Sequence, residues 1–128
     1  MAMKVISTPL APAAVGPYSQ AIVSGKLVYT AGQIALHPTR GQLVGDNVAE
    51  QTRQVFANLA SILQEAGSSL EKVIKTTVFL VNIDNFGEMN AEYAKYFLSH
   101  RPARTTVAVS GLPKGALVEI EAVAALDR

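Results

Sequence analysis

No cysteine occurs anywhere in the 128-residue chain. That excludes disulfides, thiolate metal sites and a cysteine nucleophile, and it fits a reducing compartment such as the cytoplasm. Charge is scarce too: Asp, Glu, Lys and Arg make up 16% of the residues, against roughly 25% in an average soluble domain. The 11 basic and 10 acidic side chains leave a formal net charge of +1, with no long basic run. Phosphate neutralisation needs clustered positive charge, so nucleic acid is not the expected partner. No apolar stretch reaches the roughly 20 residues of a membrane span, and "MAMKVIS" lacks the hydrophobic core and cleavage site of a secretory signal. The two histidines, His37 and His100, lie far apart without a partnered motif, so no metal site is expected.

Hydrophobic residues, by contrast, make up 49% of the chain. The length suits one domain over residues 1–128, large enough to bury roughly two-thirds of its unfolded surface without staples. So little charge leaves few means of keeping the whole surface wet, which favours subunit contacts.

The hydrophobic pattern predicts an α+β fold. Lys4–Ile6 is β-prone and leads into a loop rich in Ala and Pro up to Pro17. Residues 18–23 and 27–33, separated by the turn signal "SGK", predict a hairpin. Asn47 followed by Glu50 fits a capping box. Behind it Val48, Val55, Phe56, Leu59, Leu63 and Ala66 recur at helical spacing until Gly67. Residues 73–81, "VIKTTVFLV", are dense in β-branched side chains and apolar on both faces, as in a central strand. Asp84 is the expected cap of a second helix presenting Phe86, Met89, Tyr93 and Phe97. Strands over residues 105–109 and 117–124 then flank "GLPKG". The order strands, helix, strand, helix, strand, strand predicts a mixed sheet with two helices on one face. Its other face is then open to a second copy.

Alternation sorts the polar positions. In "RPARTTVAV", Arg104 shares a face with Thr106 and Ala108, opposite Val107 and Val109. In the last strand Glu119 and Glu121 lie opposite Val118, Ile120, Ala122 and Ala124. If "GLPKG" closes a hairpin whose apolar faces coincide, Arg104 falls on the same sheet face as Glu119 and Glu121. An exposed cross-strand ion pair is the bland meaning of that juxtaposition. In a cleft, however, the guanidinium would grip a carboxylate bidentately while a glutamate orients a water. Each group should then hold the other in its charged form. Asn90 falls within the apolar stripe of the second helix and needs a partner, either a neighbouring backbone group or a ligand. Gly16 and Pro17 shape a turn that presents Tyr18. Phosphate-loop and GxSxG patterns are absent, and Ser19 and Ser110 have no adjacent histidine.

The blocks "AVGPYSQAI", "YTAGQIALHPTRGQLV", "VAEQTRQVFANLASILQEAG", "VIKTTVFLVNIDNFGEMNAEYAKYF", "RPAR" and "LPKGALVEIEAVA" together resemble the Rid (reactive intermediate deaminase, or YjgF) family from end to end. The resemblance implies a chorismate mutase-like α+β fold. It also implies a homotrimer whose sheets form a central β-barrel, with clefts between subunits. The implied activity is hydrolysis of reactive enamines and imines, such as 2-iminobutanoate and 2-iminopropanoate, to 2-oxo acids and ammonia, without cofactor or metal. By motif position, Arg104 would bind the substrate carboxylate and Glu119 would handle the water. Tyr18, Ala31, Gly32, Gln33, Asn90 and Thr106 would line the site. Ala31 stands where relatives often have serine, and Thr106 where they often have cysteine. A trimer that merely holds a carboxylate metabolite is the alternative from another class. RNA cleavage, attached to some members, finds neither a basic patch nor a histidine pair here.

Overall fold

The computed structural model describes residues 3–126. Among them are six strands: β1 (Lys4–Ile6), β2 (Ala21–Ser24), β3 (Leu27–Thr30), β4 (Val73–Leu80), β5 (Ala103–Ala108) and β6 (Val118–Ala125). Two α-helices join them, α1 (Val48–Glu65) and α2 (Phe86–Tyr93). The strands form one sheet in the order β1-β2-β3-β6-β4-β5. β4 and β5 run parallel while the other neighbours are antiparallel, so the sheet is mixed and the α+β class stands. No helix among the described residues is long and apolar enough to cross a membrane.

Local sequence explains most of these elements. The "SGK" turn joins β2 to β3, with Gly25 at φ 61°, a left-handed position that glycine occupies without a Cβ penalty. Both strands stop short of their expected outer ends. The chain leaves the ladder after Thr30 and rejoins β6 only where Gln33 pairs with Ile120. At the start of α1, Asn47 Oδ1 accepts the Glu50 N–H at 2.9 Å, and Glu50 Oε1 accepts the Asp46 N–H at 2.8 Å. Each of these two side chains thus satisfies an orphan donor. The second helical region is broken into pieces. A 3-10 turn at Ile83–Asn85 is capped by Asn82, not Asp84, and another at Ala94–Tyr96 follows α2.

Both helices cover one sheet face. Val28, Val78, Leu80, Val118, Ile120 and Ala124 of that face are buried with Phe56, Leu59, Ile62 and Leu63 of α1. On the opposite face Tyr29, Phe79, Val107 and Val123 remain partly or largely exposed among Lys75, Thr77, Thr105 and Glu121. No described residue covers that face.

The expected hairpin between the last two strands does not form. β4 lies between β5 and β6, and residues 109–117 bridge across its end, with the Val109 N–H on the Leu80 carbonyl and the Val81 N–H on the Leu117 carbonyl. Register then decides the faces. Arg104 is opposite Thr76, which is buried beneath the helices, whereas Glu119 is opposite Phe79 on the open side. Arg104 and Glu119 therefore lie on opposite faces of the sheet, not on one. The alternation within each strand is as expected, but the apolar side of β5, Val107 beside Phe79, belongs to the open face.

The helices are joined by aromatic packing and one buried carboxylate. The Phe56 ring stacks on Tyr96 at 4.4 Å and meets Tyr93 and Phe97 edge-on at 5.4 and 5.6 Å. Glu92 is 4% exposed and accepts from Lys95 and the Tyr96 hydroxyl, both at 3.0 Å, and from Arg53 at 3.4 Å. Burial alone would raise its carboxyl pKa, but the bonds from Lys95, Arg53 and Tyr96 outweigh burial and the net shift is downward. The Tyr96 hydroxyl is pushed up to about 12 by burial and by its bond to Glu92. Because Glu92 titrates lower in the folded chain than in the unfolded one, its stabilising contribution is complete above the ordinary carboxylate pKa. It is lost as pH falls through the depressed folded value. Arg53 and Lys95 are more than half exposed, so solvent discounts the ion pairs. Glu92→Gln should therefore cost about 1 kcal/mol at neutral pH. Thermal melts from neutral to acid pH should show the gap between variant and wild type closing below the ordinary carboxylate range.

Candidate functional site

The Glu119 side of the sheet holds a cavity of about 400 Å³ whose wall includes Tyr18, Ala31, Gly32, Gln33 and Glu119. Five of the eight residues expected at the site thus meet there. The excursion between Thr30 and Gln33 makes this possible, because it brings residues 31–32 past the Glu119 side chain. A Cβ built on Gly32 would run into the Glu119 carboxyl, with its Cδ only 2.8 Å away. The carboxyl therefore lies directly on the glycine backbone. Burial pushes Glu119 above the ordinary carboxylate range, and the like charge of Glu121 adds to the shift. That reverses the expectation that Arg104 keeps Glu119 ionised, because within the chain the sheet separates them.

The cavity roof comes from a segment without regular structure, held by one buried amide. Gln20, 3% exposed, accepts the Thr8 N–H at 2.7 Å and donates to the carbonyls of Thr8, Ala11 and Pro12. Tyr18 stands beside this loop, half exposed, with its hydroxyl 3.4 Å from the Val15 N–H. Two buried amides of α1 fix the opposite wall. Asn58 donates to the carbonyls of Ile34 and Leu36 at 3.3 and 3.0 Å. Gln51 donates to the Gly45 carbonyl and accepts the Leu117 N–H at 2.8 Å, just before β6 begins. A buried amide left unpaired is costly, so these contacts hold the loops in place. Sequence reasoning missed all three. The signal was present for two of them: Gln51 and Asn58 fall within the apolar stripe of α1, the same anomaly that singled out Asn90.

Arg104 occupies a separate hollow of about 530 Å³ on the helix side, together with Asn90 and Tyr93. Its guanidinium lies 4.7 Å from the Tyr93 ring centre and 5.4 Å from that of Phe86. One of its nitrogens donates to Asn90 Oδ1 at 2.7 Å. Tyr93 is itself pinned by a 2.7 Å bond between its hydroxyl and Thr76 Oγ1. Asn90 is exposed and its partner is this arginine, not a backbone group. The guanidinium is thus anchored by rings and an amide and keeps donors for a carboxylate. Thr106 lines neither cavity, and its buried hydroxyl has no hydrogen-bond partner.

Residues 8–126, nearly the whole described chain, match the family model for endoribonuclease L-PSP. The chain belongs to the endoribonuclease L-PSP family. A human L-PSP relative named 2-iminobutanoate/2-iminopropanoate deaminase is 48% identical over 121 residues, covering 94% of this chain and 88% of its own. Among solved structures, YyfA from Yersinia pestis, a protein of the conserved Rid family, superposes with a TM-score of 0.94 at 49% identity. That match covers 98% of this chain and 100% of YyfA. E. coli TdcF, solved with bound serine, has a TM-score of 0.91 at 38% identity, covering 97% and 99%. The Rid resemblance drawn from the sequence blocks and the L-PSP match are therefore one family.

The Gly32 contact makes a direct prediction for this L-PSP chain. Gly32→Ala should fold with a loss of about 1 kcal/mol or less, because the group in the way is the mobile end of a side chain. A crystal structure of the variant should show the Glu119 carboxyl turned away from residue 32. An unmoved carboxyl would contradict the contact.

Proposed function

We propose that this chain hydrolyses reactive enamines and imines of the 2-iminobutanoate and 2-iminopropanoate type to 2-oxo acids and ammonia. The observation that carries the reading is the Glu119 carboxyl laid on Gly32 inside a ligand-sized cavity. It occurs in a chain 48% identical to a human protein named for that reaction. A carboxyl raised by burial holds a proton more readily than an ordinary one, which suits it to proton exchange with a bound water. Water held by Glu119 adds to the imine carbon, forming the C–O bond as the C=N electron pair moves to nitrogen. Glu119 takes the proton that water loses and passes it on to nitrogen, which gives the carbinolamine and restores the carboxylate. The hydroxyl proton then passes to nitrogen, the C–N bond breaks and ammonia leaves the 2-oxo acid behind. An imine carbon is already electrophilic, so holding the substrate and placing the water supply most of what is needed. The reaction as proposed uses no cofactor or metal.

The substrate carboxylate falls to Arg104, whose planar fork suits it. Arg104 and Glu119 lie on opposite faces of one sheet, so the reading requires the arginine of one copy to meet the glutamate of the next. Three copies joined through their open sheet faces would bury Tyr29, Phe79, Val107 and Val123 and close such clefts. The serine bound to TdcF is an amino acid with the same carboxylate to be gripped. RNA cleavage, raised by the family's name, has little to draw on in a chain of net charge +1.

With a threonine dehydratase supplying the imine, wild type should accelerate release of 2-oxobutanoate, and Arg104→Ala should abolish the acceleration. Arg104→Lys should lose most of it. No acceleration by wild type, beside calorimetric binding of 2-oxobutanoate, would mean a binding protein instead.

Subunit complementation tests the shared cleft. Arg104→Ala and Glu119→Gln should each be inactive alone. Refolded together in equal amounts, they should regain about a quarter of wild-type activity, because half the arginines and half the glutamates remain and must meet by chance. Failure to regain activity would place the two groups in one subunit or outside the reaction.

A further inference from the structure

The cavity over Glu119 carries one cation on its wall, Lys114, and the backbone there is unfavourable for a lysine. Residues 113–116 form a β-turn closed by the Ala116 N–H on the Pro113 carbonyl at 3.1 Å. Lys114 lies at φ 59°, ψ 20°, and Gly115 at φ 73°. Two left-handed central residues make this a type I′ turn, whose first position favours Asn, Asp or Gly. A lysine gains nothing from the turn and carries the Cβ strain of the left-handed region. Among the described residues it is the one non-glycine at positive φ. Strain held at a cavity wall points to function.

The ammonium is not engaged by the described residues. Lys114 makes no ion pair or side-chain hydrogen bond with any described residue. No ion pair joins Lys114 to Glu119, so the lysine does not serve to neutralise that carboxylate. A solubilising charge would be placed as well at any exposed position without positive φ. What remains is a ligand group. If Arg104 takes the carboxylate beside the imine and Glu119 the water, the group facing Lys114 is the substrate's side chain.

We infer that Lys114 is a specificity-determining residue that holds a second, distal carboxylate, so that the substrate class includes 2-imino acids with an acidic side chain. The inference rests on the imine-hydrolase reading of the site. A compact diacid fits a cavity of about 400 Å³ with room to spare.

The test generates two imines in situ from amino acids with an oxidase, one with an alkyl side chain and one with a carboxylate side chain. Their loss is followed against a semicarbazide trap, and the readout is the ratio of kcat/KM for the acidic imine to that for the alkyl imine. Lys114→Asn, which suits the turn, should lower this ratio at least about tenfold, whereas Lys114→Arg should keep most of it. The melting temperature of Lys114→Asn should equal or exceed that of wild type, separating lost selectivity from lost fold. A ratio within about twofold of wild type in Lys114→Asn, or a wild type that hydrolyses only the alkyl imine, overturns the inference and leaves the hydrolase reading standing. A wild type that accelerates neither imine removes both.

Discussion

Strand β4 gives one edge to β5 and the other to β6, and this double pairing sets where each functional group sits. Opposite β4, a residue of β5 and a residue of β6 share a face only if their β4 partners do. Arg104 pairs with Thr76 and Glu119 with Phe79, three residues apart, so the sheet itself stands between guanidinium and carboxylate. No rotamer change can bring them together, because each side chain leaves the backbone in the opposite direction. The chain thus carries two separate hollows, one with each group. The face bearing Glu119 is also the one left open, with Tyr29 and Val107 still 45% and 40% exposed. Pairing, exposure and the separation of the two groups have a single origin.

Around the Glu119 cavity the structure depends less on regular elements than on buried amides. Residues 7–20 form neither helix nor strand, yet four bonds to Gln20 fix their course. Asn58 and Gln51 do the same for residues 34–45 and for the approach to β6. A loop satisfied by side chains in this way can lie against a core without leaving polar groups unpaired. Ordered walls follow, and the Glu119 carboxyl lies among them against Gly32. The same economy appears at Arg104, where two rings and one amide fix a group that would otherwise swing freely.

Much of this was legible in the sequence. The capping box of α1, its apolar stripe, the "SGK" turn and the buried β4 announced themselves through spacing and propensity, which are local signals. The motif resemblance grouped eight residues; one cavity holds Tyr18, Ala31, Gly32, Gln33 and Glu119, while Arg104 and Asn90 line another hollow and Thr106 lines neither. Illegible was the choice of neighbour for β5. Alternation reports which residues of a strand share a face, but not which strand lies alongside or which face of an edge strand meets the core. "GLPKG" looked like a hairpin turn, and it is a turn, yet it ends a connection that spans an intervening strand. The lysine in that turn gave no signal either, because a left-handed backbone is invisible until the chain is folded.

The position of β6 has a consequence for how the chain is made. It is the last of the described strands in chain order, yet it lies between β3 and β4. Until residues 118–125 have left the ribosome, β1–β3 and β4–β5 are two separate fragments with bare hydrogen-bonding edges. The Gly32 side of the cavity likewise waits for its carboxylate. Pairing β6 between the two fragments therefore closes long loops, and until it forms the fragments expose strand edges open to pairing with other chains. For this molecule the vulnerable moment is the interval before its final strand arrives.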